Sequence, residues 1–175
     1  IISEEMSKIA EGSIVVVGTN GKTTVTNMIA DVIEASGKTV ACNRTGANMA
    51  YGVAATLLQT EPADWGVIES DELWLARILT QVKATYVVLL NLFRDQLDRY
   101  GEVTHTLEKL RIGAKNSPNA VLCLNAGDSL ITSLHDDVPN PVLFYGVSTP
   151  IYAGHVAEVS DAPYCIKCKS EYEYD

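Results

Sequence analysis

One stretch constrains this chain more than any other: a β-branched run that stops at a glycine turn and restarts as a helix. Val15-Val16-Val17 leads into Gly18-Thr19-Asn20-Gly21-Lys22-Thr23-Thr24, and helical spacing begins at once. The order is strand, phosphate loop, helix. Glycines in such a turn let backbone N–H groups approach a polyphosphate, and the positive helix end adds to them. Lys22 can reach β- or γ-phosphates, and Thr23 can offer its hydroxyl to a magnesium ion. The longer pattern Gly-x-x-x-x-Gly-Lys-Ser/Thr would place glycine at position 16, where this chain has Val16. What stands here is the shorter Gly-x-x-Gly-Lys-Thr-Thr.

The rest of the chain alternates in step with that unit. Apolar runs predict strands at Ser13 to Val17, Lys38 to Cys42, Asp64 to Ile68, Ala84 to Leu90, Ala120 to Leu124 and Val142 to Tyr145. Helical spacing predicts helices at Ser3 to Glu11, Lys22 to Ser36, Met49 to Leu58, Leu73 to Gln81, Val103 to Lys115 and Ser129 to His135. Nearly continuous apolar strands suit a parallel sheet covered on both faces. The alternation predicts an α/β fold with a doubly wound, mostly parallel sheet. Residues 1–12 read as a lead-in helix and 13–152 as the nucleotide-binding unit. From 153 to 175 the pattern breaks, and Cys165-Ile166-Lys167-Cys168 marks the start of a small insertion.

Charge and length exclude several classes. The chain has 175 residues and a net charge of −9, which argues against a basic nucleic-acid or anionic-membrane surface. No apolar run approaches the ~20 residues of a membrane span, and the N-terminus carries no signal-peptide pattern. The first residue is Ile1, and the sequence stops soon after the cysteine pair, so both ends read as cut from a longer protein. Cys42 and Cys123 lie in apolar surroundings and read as reduced core residues, and the expected location is cytoplasmic.

Two polar clusters follow strand ends. Glu69-Ser70-Asp71-Glu72 stands where open parallel sheets bind ligands. Glu69 is the leading magnesium ligand beside Thr23, with Asp71 and Glu72 as lesser candidates and a solvated acidic turn as the ordinary alternative. Asn91 to Tyr100 is the second cluster, and composition alone assigns it no role. Cys165 and Cys168 have zinc-knuckle spacing, half of a tetrahedral site, with a pair of free thiols as the alternative.

Gly18-Thr19-Asn20-Gly21-Lys22-Thr23-Thr24, taken with Asn91-x-x-x-Asp95-Gln96-x-Asp98-Arg99-Tyr100, resembles the central ATP-binding domain of the Mur ligase family. Asn43-Arg44-Thr45-Gly46-Ala47-Asn48 and the late Cys-x-x-Cys bring the likeness nearest to the amidating, MurT-like branch of that family. The resemblance implies that Gly18 to Thr24 cradle ATP phosphates, that Thr23 and Glu69 hold magnesium, and that Lys22 and Glu69 serve catalysis. It places Asn48, Asn91 and Gln96 on the substrate side. In amino-acid-adding members a histidine stands where this chain has Gln96, which puts a second metal site in doubt. Lys109 is the nearest match to a carbamylated lysine of the family, and a solvated helix lysine is the alternative. Cys165 and Cys168 would belong to a zinc ribbon in the intact protein.

The implied activity is ATP-dependent C–N bond formation through an acyl phosphate. Within the amidating branch it would convert the α-carboxylate of D-glutamate in the lipid II stem peptide to the amide. Ammonia would come from a GatD-type glutaminase partner, ATP, Mg2+ and Zn2+ would be the cofactors, and a peripheral place at the inner membrane face is left open. This part alone is expected to be nearly inactive. The rival readings are an amino-acid-adding Mur ligase or a folylpolyglutamate synthase. A nucleotide-binding switch without ligase activity is a rival of another class.

Overall fold

The structure is a computed structural model that describes residues 1–93, 101–147, 165 and 168–171, with the side chains of 101–103 left out. Its centre is β1 (Ile9–Val17), whose last three valines are wholly buried. They are buried because β1 has a parallel neighbour on each side. Val15 lies opposite Ile68 of β3 (Ala63–Glu69) and Val87 of β4 (Tyr86–Leu89). Outside these run β2 (Val40–Cys42), next to β3, and, on the other side, β5 (Val121–Asn125), next to β4, with β6 (Val142–Tyr145) beyond β5. The order β2-β3-β1-β4-β5-β6 is parallel throughout, as the apolar strand runs predict.

That order takes the chain to one side of β1 for β2 and β3 and then to the other side for β4, β5 and β6. A crevice opens at such a reversal, at the carboxyl ends of the central strands. The phosphate loop stands there. It leads into α2 (Lys22–Ala35), which ends at Ser36 and Gly37; Gly37 has a φ of +88° that suits glycine. Thr26 and Ala30 are the buried line of α2, whereas the apolar Met28 and Val32 are exposed.

On the other strands, α3 (Ala50–Gln59) precedes β3 and α4 (Leu75–Leu79) precedes β4. α5 (Gly101–Asn116) precedes β5, and α6 (Ser129–Thr132) runs into a 3-10 turn at Ser133–Asp136 before β6. α4 and α5 meet closely. A Cβ on Gly113 would stand 3.1 Å from the Leu75 side chain. Leu75, Ile78, Leu110, Leu122, Ile131 and Leu134 belong to the main core, each essentially buried.

The lead-in differs from the sequence expectation. A helix over Ser3 to Glu11 is not formed. α1 (Ile2–Glu5) and a 3-10 turn at Met6–Lys8 are followed by strand from Ile9. Ile9 pairs with Ala63, more than fifty residues away, and the register shifts between Ile9 and Gly12. A ladder partner distant in sequence overrode local helical spacing. The helix expected over Leu73 to Gln81 is likewise shorter, at Leu75–Leu79.

Candidate phosphate and cation site at the switch point

Close approach explains Gly18, and a left-handed backbone explains Gly21. Gly18 has φ +150°, and a Cβ there would lie 2.9 Å from Leu90 Cβ and 3.0 Å from Asn91 N. Gly21 caps α2 with φ +82° and contributes no side-chain acceptor, so no side chain caps the first turn of α2. This is the local geometry that favours an anion at a helix N-terminus.

Asn91, at the end of β4, holds the loop in place. Its carbonyl accepts from Thr19 N–H at 3.0 Å. Its side-chain Oδ1 accepts from Asn20 N–H at 2.9 Å, and its Nδ2 donates to Asn20 O at 3.1 Å. Phe93 N–H donates to Thr19 Oγ1 at 3.1 Å. Asn91, which the resemblance implies on the substrate side, bonds the loop backbone through its side-chain amide.

Glu69 is brought to Thr23 by strand register. Val16 lies opposite Glu69, and Ser70 N–H donates to Val16 O at 2.9 Å. The Glu69 carboxylate therefore emerges beside the start of α2. Thr23 Oγ1 donates to Glu69 Oε2 at 2.8 Å, and Asn48 Nδ2 donates to Oε1 at 2.9 Å. Glu69 is 2% exposed. Gly46, with φ +77°, closes the cluster, and a Cβ on it would stand 3.1 Å from Thr23 Oγ1 and 3.6 Å from Glu69 Oε2. Thr23, Glu69 and Asn48, all sequence candidates, are thus one contiguous group. Its oxygen donors, a hydroxyl and a buried carboxylate, suit a hard divalent cation such as magnesium.

Asn43 is the residue that sequence reasoning missed. At 3% exposure, its Nδ2 donates to Glu69 O at 3.0 Å and to Ala47 O at 2.9 Å, while its Oδ1 accepts from Glu69 N–H at 2.7 Å. One side chain therefore fixes both the end of β3 and the turn that carries Gly46 and Asn48. A polar residue directly after an apolar strand was the available signal.

The acidic run divides its work. Asp71 Oδ1 accepts from Leu73 N–H at 2.9 Å and caps a turn, so it does not join Thr23 and Glu69. Glu72 instead faces Lys22, with 3.5 Å between Oε1 and Nζ. Lys22 also donates to Gly18 O at 2.6 Å and Thr19 O at 3.1 Å. Burial pushes the Glu72 carboxyl above the usual glutamate range, against the pull of Lys22. Lys109 lies half-buried on α5, and none of the hydrogen bonds or ion pairs among the described residues ties it to the loop or to Glu69. Gln96 falls outside the described residues. Among those residues no group of three or more His, Cys, Asp or Glu side chains is placed to hold a metal. Cys165 and Cys168 sit in a turn closed by Lys169 N–H to Cys165 O at 3.0 Å and Cys165 N–H to Ser170 O at 2.8 Å.

The family model described as the Mur ligase middle domain matches residues 16–169. The MurT subunit of lipid II isoglutaminyl synthase (glutamine-hydrolyzing) from Staphylococcus aureus (strain COL) is 30% identical over 176 residues, covering 99% of this chain and 40% of that protein. The corresponding Streptococcus pneumoniae subunit is 30% identical, over 93% of this chain and 37% of its own length. This chain thus spans about two-fifths of the length of these relatives. The MurF ligase of Thermotoga maritima, solved in complex with ADP, superposes with a TM-score of 0.70 at 20% identity, over 85% of this chain and 35% of that one. That likeness concerns the fold.

Proposed function

The chain belongs to the Mur ligase middle-domain family, and from that premise we propose that it is the ATP-handling centre of a C–N bond-forming ligase in peptidoglycan synthesis. The observation that carries the reading is the Thr23–Glu69 hydrogen bond of 2.8 Å beside the glycine loop and the uncapped start of α2. It sets a hydroxyl and a buried carboxylate next to a polyphosphate seat, the pair that a magnesium-bound nucleotide needs.

Gly18, Thr19, Asn20, Gly21, Lys22, Thr23 and Thr24 would hold the phosphates, with Lys22 neutralising charge. Thr23 and Glu69 would hold magnesium, and Gly46 leaves the space for it. ATP supplies a leaving group for a carboxylate that is otherwise a poor electrophile. The residues of this chain position the phosphates and neutralise charge. Asn48 and Asn43 keep the Glu69 carboxylate aimed at Thr23.

The proposal in finer form is amidation of the α-carboxylate of D-glutamate in the lipid II stem peptide, with ammonia from a GatD-type glutaminase subunit. Identity to MurT subunits over nearly the whole chain supports it. In the intact protein Cys165 and Cys168 would supply two of four zinc ligands. A cytoplasmic location goes with the reading; among the described residues no helix is long and apolar enough to cross a membrane.

The test uses the full-length protein with a glutaminase partner, ATP, glutamine and lipid II. Phosphate release and product mass are followed together. The expected product has one hydroxyl replaced by an amino group, and Lys22→Ala or Glu69→Ala abolishes it. Addition of a whole amino acid would replace amidation with amino-acid transfer. Hydrolysis indifferent to every acceptor would replace it with a nucleotide switch.

A further inference from the structure

The three protons of the Lys22 ammonium are already spoken for. Two go to Gly18 O and Thr19 O, four and three residues back in the same loop, and the third faces Glu72 Oε1. An ammonium has three donors and no more, so a phosphate can engage Lys22 only by displacing a partner or sharing one. The two carbonyls belong to the loop itself and are held there by the Asn91 latch. Glu72 comes from a different element, the turn after β3, and its contact is the longest of the three, at 3.5 Å. It is also the only one of the three that carries a full negative charge.

We infer that Glu72 is a positioning residue that holds the Lys22 ammonium in the nucleotide-free protein and thereby sets the affinity for the β-phosphate. The inference rests on the nucleotide reading of the loop. Its physical basis is competition. The side chains of Lys22 and Glu72 are 14% and 13% exposed, so their charges are poorly screened. A phosphate that draws Lys22 away leaves Glu72 as a half-buried carboxylate beside an anion. That carboxylate is already disfavoured by burial and by the nearby Asp71 charge. Glu72 therefore opposes phosphate entry, the reverse of what its place in an acidic, magnesium-like cluster suggests. In return it keeps the lysine in the loop and off other partners when no nucleotide is present.

The test is binding of a fluorescent ADP analogue, with magnesium chloride present, to the full-length protein. Glu72→Gln keeps the shape and removes the charge, and it should tighten ADP binding by about tenfold, a value between the aqueous and protein-surface limits for unit charges at this distance. Glu72→Asp should restore affinity toward the original value. AMP has no β-phosphate for Lys22 to meet, so it should bind the protein and Glu72→Gln alike, a result that a merely misfolded variant would not give. The tightening should also shrink as salt is raised. Unchanged or weaker ADP binding by Glu72→Gln, with ADP bound normally by the unaltered protein, would overturn the inference and leave the nucleotide site standing. Failure of the unaltered protein to bind ADP would overturn the nucleotide reading and this inference with it.

Discussion

Gly46 shows how much a single position carries. Its φ of +77° is left-handed, and a side chain there meets both Thr23 and Glu69. Gly46→Ala should cost about 1–2 kcal/mol from the backbone alone, read as a lowered urea midpoint. It should also weaken magnesium-dependent nucleotide binding more than magnesium-free binding, measured by titration calorimetry. An equal loss in both would mean that the cation does not lie against Gly46. Cys42 offers a test at the same scale. Burial pushes its thiol up to about 11, with Arg44 pulling the other way. A raised thiol pKa means less thiolate at any given pH, roughly one part in a thousand at pH 8. Iodoacetamide should therefore label Cys42 far more slowly than free cysteine, and the rate should climb steeply toward pH 11. Peptide mass mapping over time would read it, and rapid labelling at pH 8 would contradict the burial.

At the level of elements, short polar ties decide how the strand ends meet. Asp128 Oδ1 accepts from Leu130 N–H and Ile131 N–H, each at 3.0 Å, and so caps α6. Its Oδ2 accepts from Leu92 N–H at 2.8 Å, next to the Asn91 that latches the phosphate loop. Asn125 Nδ2 donates to Leu90 O at 2.7 Å, a second tie between the ends of β5 and β4. Asp128→Ala should cost about 1–2 kcal/mol as a lost cap and also weaken nucleotide binding through the loosened latch. Asp128→Asn, which keeps an acceptor, should recover most of the stability. Denaturation and ADP titration on the same samples would separate the two effects. Stability lost with ADP affinity intact would confine Asp128 to capping.

For the whole molecule, the proposed phosphate seat joins β1, β3, β4 and α2, so a bound nucleotide should stabilise the fold as a unit. At a concentration one hundred times Kd, binding adds about 2.7 kcal/mol to stability. For a domain of this size that corresponds to a rise in Tm of roughly 5–10 °C. Scanning fluorimetry with ADP and magnesium should show the rise, and Lys22→Ala should remove most of it. The fold that makes this coupling was legible from the apolar strand runs and the helices between them. The lead-in was not. Ile9 to Glu11 has helical spacing, yet its backbone pairs with β3, a partner no local window contains.

The sequence by itself determined the strand–glycine loop–helix unit, the parallel alternation, and the kinds of side chain that gather after each strand. The left-handed φ of Gly21 at the strand-to-helix turn is a matter of local backbone chemistry and so is readable without neighbours, whereas Gly18 is also crowded by Leu90 and Asn91 from a distant strand end. Tertiary structure decided which acid serves which partner. Glu69, Asp71 and Glu72 are near-equals along the chain. The pairing of Val16 with Glu69 across the sheet turns the first toward Thr23, and the turn after β3 leaves the third facing Lys22. Asn43 and Asn91 became organising residues for the same reason. Side-chain hydrogen bonds depend on register between distant strands, and register is set by the sheet as a whole.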